Sequence, residues 1–349
     1  MLSRVADSIY WMARYMERAE NLARLLLSTR DLLLDAGAEA ADARQFWLPL
    51  LTATGDEAKY QALYQNISGT SVAEFLAIRA DNPNSMLNSV RAARENARTV
   101  RDQISDEIWQ CINGLRLFME SAEARHMHQQ QPAAFYEHVL LSSCQFQGIA
   151  ESTIPRGEGW HFLRLGSALE RADKTSRLLD TCSALPFTIA PAPGSQPLRW
   201  AALLRSCSAW HAVHTLSSKL DPVRVIEYLL LDETFPRSTT FCLNEVHRTL
   251  LDLCGHGTLR DMSQPVRLAG RLAADLRYTT VDEIIAAGLH SFIDDLQTRL
   301  NHIGTAIFET FVLYADLTPL EEDTNAAPAW QPGAWHAATS QDMQMQQQQ

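Results

Sequence analysis

Apolar residues along the chain recur at alternating intervals of three and four, the spacing that places them on one face of an α-helix. The first such stripe runs through Val5, Ile9, Met12, Met16, Ala19, Ala23 and Leu26. Proline, which breaks helices, is missing from four long ranges: 1–48, 84–131, 198–221 and 266–318. The pattern predicts a first helix of about thirty residues that ends near Gly37 and spans roughly 45 Å.

Further helices are predicted along the whole chain, and no segment shows the strict alternation typical of a strand. Their ranges are 57–67, 70–80, 84–103, 105–129, 132–153, 160–184, 197–218, 221–231, 239–254, 264–277 and 280–316. With 15 glycines and 14 prolines in 349 residues, the chain also has fewer turn-forming residues than average. We therefore expect an all-α fold, a large multi-helix bundle.

Three stretches interrupt the helical pattern. Residues 154–160 (IPRGEGW) contain one proline and two glycines, and residues 185–197 (LPFTIAPAPGSQP) contain four prolines. Residues 321–349 lose the periodicity and end in glutamines, which is typical of a disordered tail. We expect one helical domain over 1–320, with 1–155 and 159–320 as its candidate halves.

A repeated motif favours that division. The sequence ERAENLARLL at 17–26 returns 153 residues later as ERADKTSRLL at 170–179. Glutamate, arginine, alanine and leucine are common in helices, so a chance match is the alternative. We favour a repeated structural element and hence two pseudo-repeated halves.

Charge and composition narrow the class of protein. The formal net charge of -11 disfavours nucleic-acid binding, and the chain lacks the run of about 18 apolar residues that a transmembrane helix requires. The six cysteines form no CxxC pair, which indicates reduced, buried thiols. Asp7, Arg14 and Glu17 interrupt any apolar run at the N-terminus, so no signal peptide is expected. We expect a cytoplasmic protein.

The first helix carries candidate binding residues beside its apolar stripe. Arg14, Glu17, Arg18 and Asn21 are spaced i, i+3, i+4 and i+7, which places them on one face. A glutamate–arginine pair there could orient the guanidinium toward a ligand or a partner helix. The alternative is a structural ion pair that fixes how the helices pack.

A second candidate is a stripe of arginines on the helix predicted at 84–103. Arg91, Arg94, Arg98 and Arg101 follow one another at intervals of three, four and three, and Glu95 flanks them. Like charges at this spacing repel, so we expect negative partners. These are either carboxylates from neighbouring helices or the phosphate or carboxylate of a ligand.

The segment 231–238 (LDETFPRS) is a third candidate, because it places Asp232, Glu233 and Arg237 between two helices. Ser238 or Thr239 could cap the following helix, which would explain part of this composition without a function.

Metal binding is not predicted. Glu-x-x-His elements, which occur in pairs in di-iron bundles, begin at Glu123 and Glu158, but the second lies in a stretch where we do not expect a helix. His211 and His214 have no acidic or cysteine neighbour in sequence. We expect histidines that are satisfied by contacts within the bundle here, and no metal or cofactor.

Familiar catalytic motifs are also missing. The chain contains no GxGxxG, GxxxxGK[ST], GxSxG or HExxH. This favours a protein without catalysis of its own, although a helical enzyme can assemble a site from scattered residues.

Four segments, in order, resemble the alpha-E family, bacterial all-helical proteins with a Glu-Arg motif. They are MLSRVADSIYWMARYMERAENLARLL (1–26), NSVRAARENARTVRDQIS (88–105), GWHFLRLGSALERADKTSRLLD (159–180) and LLLDETFPRS (229–238). The resemblance extends from residue 1 to about 320. It implies that the family motif falls on Glu17 and Arg18, and in a second copy on Glu170 and Arg171. Arg14 has a serine as its counterpart, so any ligand role of this arginine need not be duplicated.

The resemblance also implies partners. Members of this family are commonly encoded beside, or fused to, a circularly permuted ATP-grasp ligase and a transglutaminase-like peptidase, which implies amide-bond chemistry on peptides or amino-acid derivatives. Our hypothesis is a helical accessory subunit of such a ligase, whose arginines bind an acidic peptide, an acyl-phosphate intermediate or an acidic surface of the ligase. Two alternatives stay open: a catalytic component that uses residues such as Asp232 and Glu233, and a scaffold that binds proteins only. We expect no nucleic-acid or membrane partner, and a homodimer remains open.

Overall fold

The structure is a computed structural model that describes residues 1–36, 44–184, 195–216, 220–254 and 263–313. Within these ranges it contains sixteen α-helices and no β-strand, so the prediction of an all-α multi-helix bundle is confirmed. The predicted tail at 321–349 and most of the proline-rich connection at 185–197 lie outside the described residues. No helix in the described ranges combines the length and the apolar character needed to cross a bilayer.

The helices fall into two series of eight. The first series is α1 (Ser3–Ala36), α2 (Arg44–Thr54), α3 (Glu57–Leu63), α4 (Gly69–Ala77), α5 (Met86–Thr99), α6 (Asp106–Glu120), α7 (Ala122–Gln130) and α8 (Pro132–Thr153). The second is α9 (Glu158–Ala184), α10 (Ser195–Ser206), α11 (Trp210–Leu216), α12 (Pro222–Leu231), α13 (Thr239–Cys254), α14 (Gln264–Tyr278), α15 (Val281–Ala287) and α16 (Leu289–Phe308). A π-helical turn, Glu309–Leu313, follows α16.

Three of the predicted helices are each divided in two. Ser121 ends α6 and caps α7, because its side chain accepts a hydrogen bond from the Ala124 backbone N–H at 3.0 Å. Ser208 has a φ of 56° between α10 and α11, and Gly288 has a φ of 91° between α15 and α16. Both residues are in the left-handed region, which cannot continue a right-handed helix. The apolar spacing continues through these breaks, so the sequence pattern did not reveal them.

Other helix boundaries also differ from prediction. The helix predicted at 84–103 ends at Thr99, so Arg101 lies beyond it. Conversely, α9 begins at Glu158, which places Glu158 and His161 on one helical turn. Helix α2 contains Pro49 and was not predicted, because the proline interrupts the pattern.

The central pair of helices, α1 and α9, lie side by side and run parallel. Arg14 contacts Glu170, and Leu25, further along α1, lines the same cleft as Leu178. Gly166 permits this close packing, because a Cβ atom there would lie 2.2 Å from the backbone carbonyl oxygen of Tyr10. The two Glu-Arg motifs are therefore neighbours in space.

The remaining helices pack around this pair in a matching way. Helices α5, α8 and α10 contact α1, whereas α13, α16 and α2 contact α9. A single hydrophobic cluster includes buried side chains of both series, among them Met12, Val90, Leu165 and Leu243. The two candidate halves thus share one core.

The order of helices is the same in the two series. Helix α5 begins at Met86 and α13 at Thr239, which is 153 residues later. The same interval separates the first residues of α3 and α11, and those of α4 and α12. It equals the interval between the two copies of the sequence motif.

Candidate functional site: a buried ion-pair cluster and its cleft

The two Glu-Arg motifs bind each other across the α1–α9 contact. Glu170 of α9 accepts a hydrogen bond from Arg18 Nε of α1 at 2.8 Å, and Glu17 of α1 accepts two from Arg171 of α9 at 2.7 and 2.9 Å. Each motif thus supplies the glutamate for the other motif's arginine. Arg14 Nε also donates to Glu170 at 2.8 Å. Both glutamates are almost completely buried.

A second layer of ion pairs extends the contact along both helices. Arg24 pairs with Glu20 one turn earlier on α1, and Arg177 pairs with Asp173 one turn earlier on α9. Lys174 lies 3.1 Å from Asp173 and 3.6 Å from Glu170. These residues belong to the repeated decapeptides, and the Arg24–Glu20 and Arg177–Asp173 pairs occupy equivalent positions.

Arg237 joins the cluster from the loop before α13. Its Nη1 donates to Glu17 Oε1 and to Asn21 Oδ1, each at 3.1 Å, and its Nη2 donates to Glu20. The side chain is only 9% exposed. The sequence groups Arg237 with Asp232 in one candidate segment. In the structure Arg237 binds the buried carboxylates, whereas Asp232 holds the preceding turn.

Asp232 shapes the loop that carries Arg237. Its Oδ1 accepts hydrogen bonds from the backbone N–H groups of Thr234 and Phe235 at 2.8 and 2.7 Å, which closes a tight turn. Ser238 caps α13 by accepting from the Phe241 backbone N–H at 3.0 Å. Glu233 lies outside the cluster, where it pairs with exposed Arg277.

The arginines keep the buried carboxyl groups ionised. Burial alone would raise the pKa of Glu170, but Arg18, Arg14 and Lys174 outweigh it and hold that pKa well below its usual value. Burial likewise opposes ionisation of Glu17, whose pKa is nevertheless lowered by Arg171 and Arg237. Glu17 and Glu170 are therefore ionised at neutral pH, and their contacts with the arginines are ion pairs.

Positive charge exceeds negative charge in this group, which we call the α1–α9 cluster. Its seven cations are Arg14, Arg18, Arg24, Arg171, Lys174, Arg177 and Arg237, and its four carboxylates are Glu17, Glu20, Glu170 and Asp173. The excess is three positive charges in a region of low dielectric, where an uncompensated charge is costly.

The excess charge borders a cleft of about 430 Å³ on one side of the cluster. We call it the α1–α9 cleft, and its polar lining consists of Arg14, Arg18, Asn21, Thr54, Lys59, Asn84, Asp173, Lys174, Arg177 and Asn301. Five of these side chains are cationic and one, Asp173, is a carboxylate, whose pKa stays near 2 because Lys174 and Arg177 outweigh the effect of burial. The lining is thus strongly positive.

One guanidinium nitrogen at this cleft has no protein partner. Arg18 is 6% exposed and its Nε and Nη2 bind Glu170, whereas the buried Nη1 makes no hydrogen bond. A buried donor without an acceptor costs about 1–3 kcal/mol, and more when it is charged. Arg18 as a residue lines the cleft, and its guanidinium carbon also lies 5.3 Å from the centroid of the Tyr15 ring.

Next to the cleft lies a smaller, mostly apolar cavity of about 50 Å³ that shares Arg14, Asp173 and Asn301 with it. Aromatic rings of Tyr10 and Trp11 flank Arg14, whose guanidinium carbon lies 5.6 and 4.9 Å from their centroids. These cation–π contacts and the Glu170 pair fix the orientation of Arg14.

The arginine stripe on α5 is placed elsewhere, and carboxylates of the bundle surround it. Arg91 pairs with Glu120 at 2.8 Å, and Arg98 pairs with Glu95 at 2.8 Å. Arg94 also pairs with Glu95 and lies over the ring of Trp109. Of the two sources of negative charge that the sequence left open, the structure shows the carboxylates of the bundle.

Arg101 follows the same pattern from beyond the end of α5. It pairs with Asp106, the first residue of α6. Glu95, the acidic residue predicted to flank the stripe, is half exposed and compensates two of the arginines.

Metal ligands do not converge in the described ranges, where no group of three or more His, Cys, Asp and Glu side chains could hold a metal ion. His211 and His214 lie on α11, where His214 stacks on Trp210 with 5.2 Å between ring centroids. Glu123 and His126 lie together on the short helix α7.

Sequence reasoning missed several members of the site. Glu20, Asp173 and Arg177 belong to the repeated decapeptides, so the repeat itself contained the signal that would have identified them. Lys59 and Asn84 lie in segments with no motif, and only the fold brings them to the cleft.

These features define a class of protein: an all-helical bundle in which two parallel central helices each bury a Glu-Arg pair against the other. The chain belongs to the Alpha-E family, whose family model, described as a predicted alpha-helical domain with a conserved ER motif, matches residues 1–312.

Relatives among curated proteins extend well beyond the matched segment. Uncharacterized protein Mb2597 of Mycobacterium bovis and uncharacterized protein Rv2567 of Mycobacterium tuberculosis are each 26% identical to this chain over 318 residues. The match covers 84% of this chain and 34% of each relative, so the chain spans about a third of their length. No solved structure matches the chain significantly.

Proposed function

We propose that this protein is a helical accessory subunit of an ATP-grasp amide-ligase system that acts on peptides or amino-acid derivatives, and that it binds an anionic group in the α1–α9 cleft. The charge of the cleft carries the proposal, because five cations and one carboxylate line it and one of these cations, Arg18, has a buried Nη1 atom without a protein acceptor. A carboxylate or phosphate oxygen supplies the missing acceptor and compensates the excess charge.

The cleft supports this binding role better than the arginine stripe does. Arg91, Arg94 and Arg98 already have carboxylate partners and lie partly in solvent, where an added anion would gain little. Arg14 and Arg18 are held rigidly by Glu170, so a ligand would not have to order them.

The ligase partner is supported by the resemblance to the alpha-E family, whose members are commonly encoded beside or fused to ATP-grasp ligases. The curated relatives also support a role beside another protein module, because the segment that matches this chain is only about a third of their length. A catalytic component and a pure scaffold are the competing functions.

Affinity capture from the native host tests the partner. Tagged wild-type protein is compared with an Arg14→Gln variant and with an Arg94→Ala control, and bound proteins are identified by mass spectrometry. We expect wild type and the control to recover an ATP-grasp protein, and the purified pair to ligate faster than the ligase alone. Failure of wild type to recover any ATP-grasp protein contradicts the accessory function. Turnover of ATP or peptide by the isolated protein would instead establish the catalytic alternative.

A further inference from the structure

The α1–α9 cleft has a counterpart on the other side of the ion-pair cluster. Residues 153 positions apart make the same contacts: Glu17 with Arg171 and Glu170 with Arg18. Along the same helices, one carboxylate–arginine pair on α1 and one on α9 occupy corresponding positions. The cluster thus has two sides built from corresponding residues.

The loops that border the two sides also correspond. Residues 83–85 (Pro-Asn-Ser) precede α5, and residues 236–238 (Pro-Arg-Ser), 153 positions later, precede α13. Ser85 accepts a hydrogen bond from the third residue of α5 at 3.2 Å, and Ser238 accepts one from the third residue of α13 at 3.0 Å. Between the proline and the serine, Asn84 in one loop takes the place of Arg237 in the other.

The turns after α2 and α10 form a third matching pair. Gly55 has a φ of 73° and Ser208, 153 positions later, has a φ of 56°. Positive φ is unusual for serine, so its occurrence at this position indicates that the same turn is built twice.

One side is filled by the protein's own atoms and the other is open. On the filled side, the Arg237 guanidinium occupies the space between Glu17, Glu20 and Asn21, and the Ser208 hydroxyl accepts from Arg24 at 2.6 Å. On the open side, the Asn84 amide turns to Asp56 at 2.8 Å, and Gly55 has no side chain. The 430 Å³ cleft occupies this open side.

The open and the filled side also differ in formal charge. The open side has three cations where the filled side has uncharged residues: Arg14 for Ser167, Lys59 for Ala212 and Lys174 for Asn21. It lacks one cation, because Asn84 replaces Arg237. It also has a carboxylate, Asp56, where the filled side has Ala209. In formal charge the open side is therefore more positive than the filled side by one.

We infer that the two sides are equivalent positions of which the open one is the ligand site, and that its ligand is a small group with at least two negative charges, a phosphate or a pair of carboxylates. This inference deepens the proposed function and rests on its anion-binding part. Two negative charges match the formal charge of the open side, where the five cations of the cleft lining outnumber the carboxylates Glu170, Asp173 and Asp56 by two. Arg18, whose Nη1 has no protein acceptor, is one of these lining cations.

Calorimetric titration of the whole chain at constant ionic strength tests the ligand class. The probes are inorganic phosphate and pyrophosphate in one arm, citrate and a triglutamate peptide in the other, and acetate as the singly charged reference. We expect saturable binding in at least one arm, with an affinity at least about tenfold above that of acetate. The arm that binds distinguishes phosphate from carboxylate ligands. Absence of saturable binding in both arms, or acetate binding as tightly, overturns the inference.

Substitutions that interchange the two sides test the site. Lys59→Ala introduces the residue of the filled side at an exposed position, and Ala212→Lys places the same charge at the equivalent filled position. The first should weaken binding about tenfold, whereas the second should leave it unchanged. The double variant keeps the net charge of wild type and should bind like Lys59→Ala. Equal binding by wild type and Lys59→Ala contradicts the assignment.

A plugged variant provides a second test. Asn84→Arg combined with Gly55→Ser copies the filled side into the cleft and should abolish binding while the urea-unfolding midpoint remains measurable. If the double variant does not fold, the Lys59→Ala result decides whether the cleft is the ligand site. Retained binding by a folded plugged variant overturns the inference. Binding in these titrations together with a failed affinity capture would leave the site intact and remove only the ligase partner.

Discussion

Replacement of Glu170 by glutamine tests whether the α1–α9 cluster stabilises the fold through its charges. Glu170 is fully buried and lies within 3.6 Å of three cations, Arg14, Arg18 and Lys174. Glu170→Gln keeps the shape of the side chain but removes its charge, so buried Arg18 and partly buried Arg14 and Lys174 are left with one carboxylate fewer. We expect the free energy of unfolding to fall by much more than a surface ion pair would contribute.

The magnitude follows from burial. Breaking a buried ion pair by neutralising one partner costs about 3–5 kcal/mol, because the other charge stays in the interior without compensation. A domain has only about 5–15 kcal/mol of stability in total. Glu170→Gln should therefore remove about a fifth or more of the stability of this protein.

Urea unfolding followed by circular dichroism at pH 7 measures the effect, with Glu95→Gln as the matched control. Glu95 also binds two arginines, but it is 53% exposed, so its replacement should cost at most about 1 kcal/mol. Because the pKa of Glu170 is depressed, its contribution should be complete above about pH 5 and disappear as acid protonates the carboxylate. Equal losses for the two variants would refute the reasoning.

Three further variants examine other parts of the structure by the same urea assay. Gly166→Ala should cost about 2–3 kcal/mol, because its Cβ would collide with the Tyr10 carbonyl oxygen. The control Gly148→Ala, whose Cβ would have no neighbouring atom within 4 Å, should be neutral or stabilising. A larger loss of stability for Gly148→Ala than for Gly166→Ala would contradict the close packing of α1 and α9. Asp7→Asn should stabilise by about 1–3 kcal/mol at pH 8, because burial raises the Asp7 pKa to about 6 despite a hydrogen bond with Trp11. The gain in stability should shrink as pH falls from about 6 toward 4, where the Asp7 carboxyl becomes protonated in the folded protein. A gain that grows in acid would contradict this direction of the pKa shift. Asp232→Ala should cost about 1–2 kcal/mol because two backbone N–H groups lose their acceptor, and an unchanged unfolding midpoint would show that the turn does not depend on it.

The all-α class could be predicted because helical periodicity depends on local spacing, and packing in this bundle uses that spacing. The short breaks at Ser121, Ser208 and Gly288 could not, since a single cap or left-handed residue leaves the apolar pattern intact. Helix α2 was missed for the opposite reason, because Pro49 suggested a break that does not occur.

The residues of the candidate site could likewise be predicted only in part. Glu17, Arg18, Glu170 and Arg171 were predicted as binding or structural residues from their spacing and from the family motif, but the exchange of partners depends on α1 and α9 being adjacent. Four arginines spaced three and four apart gave a strong local signal at 91–101, although neighbouring carboxylates compensate them. Local spacing reveals which charges share a face but not what lies opposite that face.

The parallel arrangement of α1 and α9 has a consequence for the order in which the protein folds during synthesis. Arg171 reaches Glu17 across 154 residues of intervening chain, and ribosomes add about 5–20 residues per second. The partner of the first helix therefore leaves the ribosome roughly 8 to 30 s later. During that interval Glu17 and Arg18 lack their α9 partners Arg171 and Glu170, so the first eight helices emerge as an incomplete folding unit. A nascent chain stalled before residue 158 should remain sensitive to protease, and extension through the whole second series should protect both series together.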